Sequence, residues 1–380
     1  MTKKFLYFQP EYVREFVCDG ANCGDNCCER TWDIPVDAET FALYTRIQPA
    51  DKPREITACF GYNAATKEFF LRDKPCSFLT EKKLCSLQLK YGEKFISQTC
   101  VTYPRRTLDF GSFFERSLVL SCPVAAEMIL FNAEPMKFEF VEVTEPTHSH
   151  DGKLKISSFH AGQKFAEQML EMQIAMISIL QERTLTIDQR LIVLGFFLDK
   201  LDEIIFDGLD DDALTKLIAA YKSKKFLSTQ VPKMFSAVPF DAEKFSELLL
   251  AILEKLSDEK FSAVKELLVH EKISAATLKN FTARWSTFME NFLVNELFMT
   301  CLPWKFQASV AKNFGVFVAS YKIFELMTFA TAQQDFSRDA LLHLAVSFTK
   351  QADHGDGFTK VILDAVPDDI FVTLETLLKF

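Results

Sequence analysis

The first 147 residues contain no histidine: His148, His150, His160, His270, His343 and His354 all lie later in the chain. A mixed cysteine–histidine zinc site would therefore have to span two separate parts of the chain. Paired Cys-x2-Cys knuckles, the usual sign of structural zinc, are also missing. No run of lysine and arginine occurs and the formal charge is −9, which argues against a footprint for nucleic-acid phosphates. Uninterrupted apolar stretches such as Leu191 to Leu198 fall far short of the roughly 20 residues that a bilayer crossing needs. Met1 to Pro10 holds two lysines and a short aromatic stretch but no apolar segment of signal-peptide length. These absences predict a cytoplasmic protein with neither membrane nor nucleic acid as partner. Tryptophan is scarce, at 3, against 39 phenylalanines, a bias that reads as core packing.

What is present is sulfur. Of 10 cysteines, nine fall at Cys18, Cys23, Cys27, Cys28, Cys59, Cys76, Cys85, Cys100 and Cys122, and only Cys301 lies beyond. In a reducing compartment these are free thiols rather than bridges. Random core usage would not concentrate them so.

A chain of 380 residues exceeds what one core ordinarily serves, which predicts two domains. Residues 1–150 read as short mixed elements punctuated by Pro35, Pro49, Pro53, Pro75, Pro104 and Pro123, with a loop signal over Asp19 to Asn26. Helical patterns cover Phe41 to Ile47 and Leu84 to Phe95, and strand patterns cover Glu68 to Leu71 and Lys137 to Val143. From about Ser157 apolar residues recur at three- and four-residue steps, as at Phe165, Met169, Met172, Met176 and Leu180. Thr186 with Gln189 forms a capping-box signature ahead of a helix over Leu191 to Ile205, and Asp241 is a candidate cap for the next. Further helices are expected at about 276–296, 305–330, 338–351 and 367–379. The fold class is therefore mainly α: an N-terminal cysteine-rich α+β metal-binding domain (1–150), then an all-α helical domain (151–380). The linker falls at Glu145 to Lys153.

The densest cysteine block is Cys18-x4-Cys23-x3-Cys27-Cys28, in a loop whose Gly20 and Gly24 let backbone amides wrap an inorganic centre. Cys76-x8-Cys85-x14-Cys100-x21-Cys122 follows. Eight thiols thus form the candidate ligand set, with Cys59 and Cys301 left as buried packing residues. All-sulfur ligation selects an iron–sulfur cluster, with zinc as the alternative, over hard cations. Spacing alone leaves open whether the eight serve one centre or two.

Several motifs resemble the flagellin lysine-N-methylases. They are Tyr12-Val-Arg-Glu-Phe-Val-Cys18, the Cys23 to Cys28 block with Trp32 and Ile34, Cys76-Ser-Phe-Leu, Leu84-Cys85-Ser-Leu-Gln88, Gly92-Glu93, Ser97-Gln-Thr-Cys100-Val-Thr-Tyr103-Pro104-Arg105, and Glu115-Arg116-Ser117 through Cys122-Pro123. The cysteine block is also similar to that of a zinc- or iron-chelating cysteine domain. The resemblance implies S-adenosyl-L-methionine-dependent N-methylation of surface lysines on flagellin by a protein carrying a [4Fe-4S] cluster. Within its motifs, Tyr103 and Arg105 are candidate catalytic residues, and Arg106, Glu115 and Arg116 are candidates for holding the cofactor. No G-x-G run follows an apolar strand, so the glycine-rich cofactor grip of class I methyltransferases is not expected. The radical C-x3-C-x2-C motif is half matched by Cys23-x3-Cys27, but Arg30 occupies its third position, so the spacing does not support radical chemistry. The alternative function is a non-catalytic metal-binding adaptor whose helical part docks a partner protein.

Overall fold

The computed structural model describes residues 2–29, 33–46, 56–64, 67–146, 154–155, 162–206, 210–223, 226, 242–256, 275–304, 309–354 and 357–366. In chain order the strands are β1 (Thr2–Pro10), β2 (Ile34–Val36), β3 (Phe60–Asn63), β4 (Glu68–Leu71), β5 (Arg105–Asp109), β6 (Phe114–Leu118), β7 (Phe138–Pro146) and β8 (Leu154–Lys155). The helices of the first part are α1 (Tyr12–Glu15), α2 (Ala38–Thr45), α3 (Ser86–Tyr91), α4 (Gln98–Thr102) and α5 (Pro123–Leu130). Those of the second are α6 (Gly162–Leu180), α7 (Ile187–Phe206), α8 (Asp211–Tyr221), α9 (Ala242–Lys255), α10 (Ala275–Arg284), α11 (Ser286–Thr300), α12 (Val310–Gln334), α13 (Arg338–His354) and α14 (Phe358–Ala365). The chain is mainly α, with a small cysteine-rich α+β part at its start, as the patterning predicts.

Two sheets organise that part. The larger has the order β7-β1-β6-β5-β8, and the smaller β2-β4-β3. β1 runs antiparallel to β7 along its whole length, from Thr2 opposite Pro146 to Pro10 opposite Phe138, and parallel to β6. β1 is not legible in the sequence, because its strand partner β7 lies more than 120 residues away.

Local chemistry sets the helix starts. Asp37 caps α2, its Oδ1 accepting from Thr40 N at 2.7 Å. The capping box ahead of α7 forms in both directions: Gln189 N donates to Thr186 Oγ1 at 3.3 Å and Thr186 N donates to Gln189 Oε1 at 2.9 Å. Ser309 caps α12 through Lys312 N at 3.1 Å. The periodicity read as one helix over 276–296 is two, α10 and α11, meeting at the non-helical Trp285. The Asp241 cap, the 367–379 helix and most of the Glu145 to Lys153 linker lie outside the described residues.

Packing divides into two cores. A large one joins Phe8, Tyr12, Leu118, Ala125 and Ile129 of the first part to Met172, Leu194, Phe292 and Phe324 of the helical part. The phenylalanine excess is spent here, for example where Phe292 and Phe324 stack with centroids 3.9 Å apart. A small separate core holds Ile34, Val36, Tyr44, Phe60, Leu71, Phe78 and Leu87 around a buried Cys59. Cys301 is buried in the large core, so both cysteines set aside as packing residues are indeed enclosed. Among the described residues one helix, α12, is long and apolar enough to cross a membrane, but 83% of its apolar window is buried inside the fold.

Candidate metal centre

The Cys18–Cys28 loop leaves α1 as two short 3₁₀ turns, Gly20–Asn22 and Cys27–Glu29. Gly20 takes a left-handed φ of 55°, which a side chain would resist, and its N–H donates to Cys18 Sγ at 3.4 Å. Asn26, buried between the cysteines, ties the loop to the Cys76–Cys85 segment. Its Nδ2 donates to Lys83 O at 3.3 Å and its Oδ1 accepts from Cys28 N at 2.8 Å. Cys76 N donates to Cys28 O at 2.9 Å, and Lys83 pairs with Glu29 at 3.2 Å. A bridge between Leu79 and Cys85 then folds the 76–85 segment back on itself. Cys85 precedes α3, and Ser97 caps α4 by accepting from Cys100 N at 3.3 Å. Cys76, Cys85 and Cys100 all pack against the small core. Cys122 belongs to the large core and immediately precedes α5, whose first residue is Pro123.

The thiols sit in one another's fields. A hydrogen bond with Cys27, then burial, then the charges of Cys27, Cys76 and Cys100 hold the Cys28 thiol far above its usual range. Burial, with Cys18 and Cys27 nearby, raises Cys23. Burial, with Cys23 and Cys18 adding to it, pushes Cys122 up to about 11. Two tyrosines mark the two sides. Tyr44 is raised by burial and then by Cys100, Cys85 and Cys76; Tyr103 is raised by burial and then by Cys122 and Cys27.

All ten cysteines are free thiols. Among the described residues no three Cys, His, Asp or Glu side chains converge on one point as a single metal ion requires. The chemistry of the donor set fits a sulfur-ligated group: soft thiols predominate, and two of the three carboxylates of the 18–29 segment are engaged in ion pairs, Glu29 with Lys83 and Asp25 with Lys350.

The polar candidates separate into two places. Tyr103 shares a hydrogen bond with Ser121 at 3.2 Å, and the Arg105 guanidinium lies 5.1 Å from the Phe16 ring, two residues before Cys18. These two lie on the thiol side. Glu115 instead faces the helical bundle, 1% exposed, with its Oε2 accepting from Gln173 Nε2 at 3.0 Å and its Oε1 without a hydrogen-bond partner among the described residues. Burial pushes its carboxyl well above the usual range. Gln173 also reaches the Cys301 sulfur at 3.8 Å, and the Arg106 charge acts on that thiol. Arg116 lies 3.7 Å from the Tyr7 ring centroid. No local pattern in the sequence singles out Tyr44 or Gln173, and Asn26 carries one signal, its position between Cys23 and Cys27, where it reads simply as a loop residue.

Comparison with known proteins identifies relatives of the chain. A family model described as the FliB lysine N-methylase C-terminal domain matches residues 173–380, more than half of the chain. A lysine-N-methylase of Salmonella typhimurium is 22% identical over 404 aligned positions, covering 94% of each chain. One from Salmonella choleraesuis is 21% identical with the same coverage. A flagellar biosynthetic protein FliU of Salmonella muenchen is 29% identical over 140 positions, 35% of this chain and 82% of the relative. No solved structure matches the chain. With residues 173–380 matched by the family model and 94% of the chain aligned to lysine-N-methylases, this chain belongs to the FliB lysine N-methylase family.

Proposed function

We propose that this protein transfers methyl groups from S-adenosyl-L-methionine to ε-amines of surface lysines on flagellin, and that its thiols hold a [4Fe-4S] cluster, with zinc as the alternative occupant. The observation that carries the reading is the 94% mutual coverage with chains named lysine-N-methylase. The concentration of free thiols supports the metal part.

The transfer itself needs no metal. A neutral lysine nitrogen attacks the sulfonium methyl carbon, the N–C bond forms as the C–S bond breaks, and the bond pair returns to sulfur as a neutral thioether. The extra N–H proton then leaves to solvent or to a nearby base. The protein's task is to strip the ammonium proton, align nitrogen, carbon and sulfur, and keep water out. Tyr103 and Arg105, beside the thiols, are the candidates for meeting the reactants. Arg106 and Arg116 are candidates for the methyl donor's carboxylate. The enclosure of Glu115 behind Gln173 favours a supporting role over direct contact with the donor. When bound, the cluster would supply a fixed scaffold for the residues around the thiols.

The test is incubation of anaerobically purified protein with flagellin and labelled S-adenosyl-L-methionine. Flagellin lysines should gain about 14 Da per methyl group. Metal-loaded protein that leaves flagellin and the methyl donor unchanged would overturn the reading.

A further inference from the structure

We infer that an acidic groove between α1, α5 and the start of α13 is the docking site for a lysine-presenting surface of the protein substrate. The inference rests on the proposed function for the identity of that partner, and its test reads docking apart from methyl transfer.

The lining matches a lysine in both charge and shape. The groove encloses about 650 Å³ and carries carboxylates from two sides: Glu11 and Glu15 at the ends of α1, Glu127 on α5 and Glu134 just beyond it. The rest of the lining is largely apolar, with Val124, Met128, Phe131, Pro135 and Met136. A lysine brings a positive head for the carboxylates and a four-carbon stem that lies along apolar surface. Four carboxylates face two cations, Lys137 and Arg338, which leaves the groove negative. Among the described residues only Glu127 of the four is in an ion pair. Glu134 lies in the field of Arg183, but that guanidinium is paired with Glu290 at 2.9 Å.

A cation already seated in the groove shows how it is held. The Arg338 guanidinium lies 4.4 Å from the centroid of the Phe131 ring and 3.0 Å from Glu127 Oε1. One aromatic face and one carboxylate thus serve a single positive head. Glu11, Glu15 and Glu134 extend the same chemistry to cations from outside.

One wall is fixed before any partner arrives. Asn291 Nδ2 donates to Asn132 O at 2.8 Å, Arg183 Nη1 to Ala133 O at 3.0 Å, Gln181 Nε2 to Met136 O at 3.1 Å and Glu11 N to Lys137 O at 2.9 Å. A groove held open in this way loses little conformational freedom on binding. Its position suits the proposed chemistry. Glu15 stands three residues before Cys18 and Val124 two after Cys122, and Arg105 lies over the ring of Phe16, the residue next to Glu15. Both walls thus run on into cysteine-bearing chain, on the side where Tyr103 and Arg105 stand.

The test measures binding of purified flagellin to the anaerobically purified full-length protein, without methyl donor, by biolayer interferometry at low salt. Glu11→Lys/Glu15→Lys/Glu134→Lys should weaken the complex about tenfold or more. Three reversals elsewhere, Glu203→Lys/Asp212→Lys/Glu254→Lys at exposed positions, should leave it unchanged. Thermal melts establish that both variants fold. Where the groove variant unfolds, the unaltered chain decides. A zero-length carbodiimide, which joins carboxylates to amines, should link flagellin lysines to Glu11, Glu15 or Glu134 in peptide mass spectra, and flagellin with acetylated lysines should bind about tenfold more weakly. Equal binding by the folded groove variant, cross-links confined to other carboxylates, undiminished binding of acetylated flagellin, or no binding of flagellin by the unaltered protein would overturn the inference. Docking through the groove without methylation would sustain it and sink the proposed activity, whereas methylation with an unchanged KM in the groove variant would do the reverse.

Discussion

Replacing Lys322 tests the electrostatic core of the helical part. Its ammonium, 2% exposed near the middle of α12, contacts Asp188 Oδ1 at 2.6 Å and Glu325 Oε2 at 3.0 Å. Glu325 Oε1 also accepts from the hydroxyls of Thr282, at 2.6 Å, and Tyr321, at 3.1 Å. Burial pulls the Lys322 pKa down, but the two carboxylates outweigh it and hold the ammonium above its ordinary value. Lys322→Met fills most of the volume and strands two carboxylates, of which Glu325 is 1% exposed. Removing one partner of a buried ion pair costs about 3–5 kcal/mol, a fall in Tm of about 6–20 °C for a folding unit of 150–250 residues. The pH dependence has a definite sign. Burial already holds the Asp188 carboxyl above its ordinary range while the Lys322 charge holds it down; without the ammonium it rises further, so the native state takes up protons that the unfolded chain releases. The deficit should therefore grow as pH rises from 5 to 8. Lys322→Met/Glu325→Gln should recover more than half of it. Thermal melts of the three proteins at both pH values are the assay. A loss below about 1 kcal/mol, or an equal deficit at both pH values, would refute the reasoning.

Glu115→Gln should stabilise the protein at pH 8 by about 1–3 kcal/mol and leave it unchanged at pH 4 in urea titrations, because a carboxyl raised by burial costs stability progressively as pH climbs above its unfolded value. Thr186→Ala should cost about 1 kcal/mol through loss of the α7 cap, with Thr186→Ser restoring most of it, as read by chemical denaturation. Gly61→Ala drives a methyl to 2.2 Å from the Phe70 ring. It should destabilise the small core by about 1–3 kcal/mol, seen as faster amide exchange in β2–β4 before any change in the bundle.

The long amphipathic helices were legible because their apolar spacing and caps are local signals: Thr186 and Gln189 both predict and make the start of α7. The strand read at Lys137 to Val143 became β7, but its partner β1 was invisible, since pairing Thr2 with Pro146 depends on contacts across the whole first part. The sulfur concentration could be read by counting, and its grouping could not. Its placement depends on Asn26 reaching Lys83 and on which core each cysteine leans against. Glu115 illustrates the opposite limit. Its place in a motif suggested an available polar group, whereas burial against Gln173, 58 residues away in sequence, is a tertiary fact.

Asp25, inside the cysteine loop, forms an ion pair with Lys350 on α13, and Arg338 at the start of that helix binds Glu127 on α5 at 3.0 Å. The first clasp fastens α13 to a loop near the beginning of the chain and the second fastens the same helix to α5. A ribosome-bound chain has therefore made Cys18 to Cys122 long before it makes Lys350, so this clasp closes only after the whole cysteine-rich part has been synthesised.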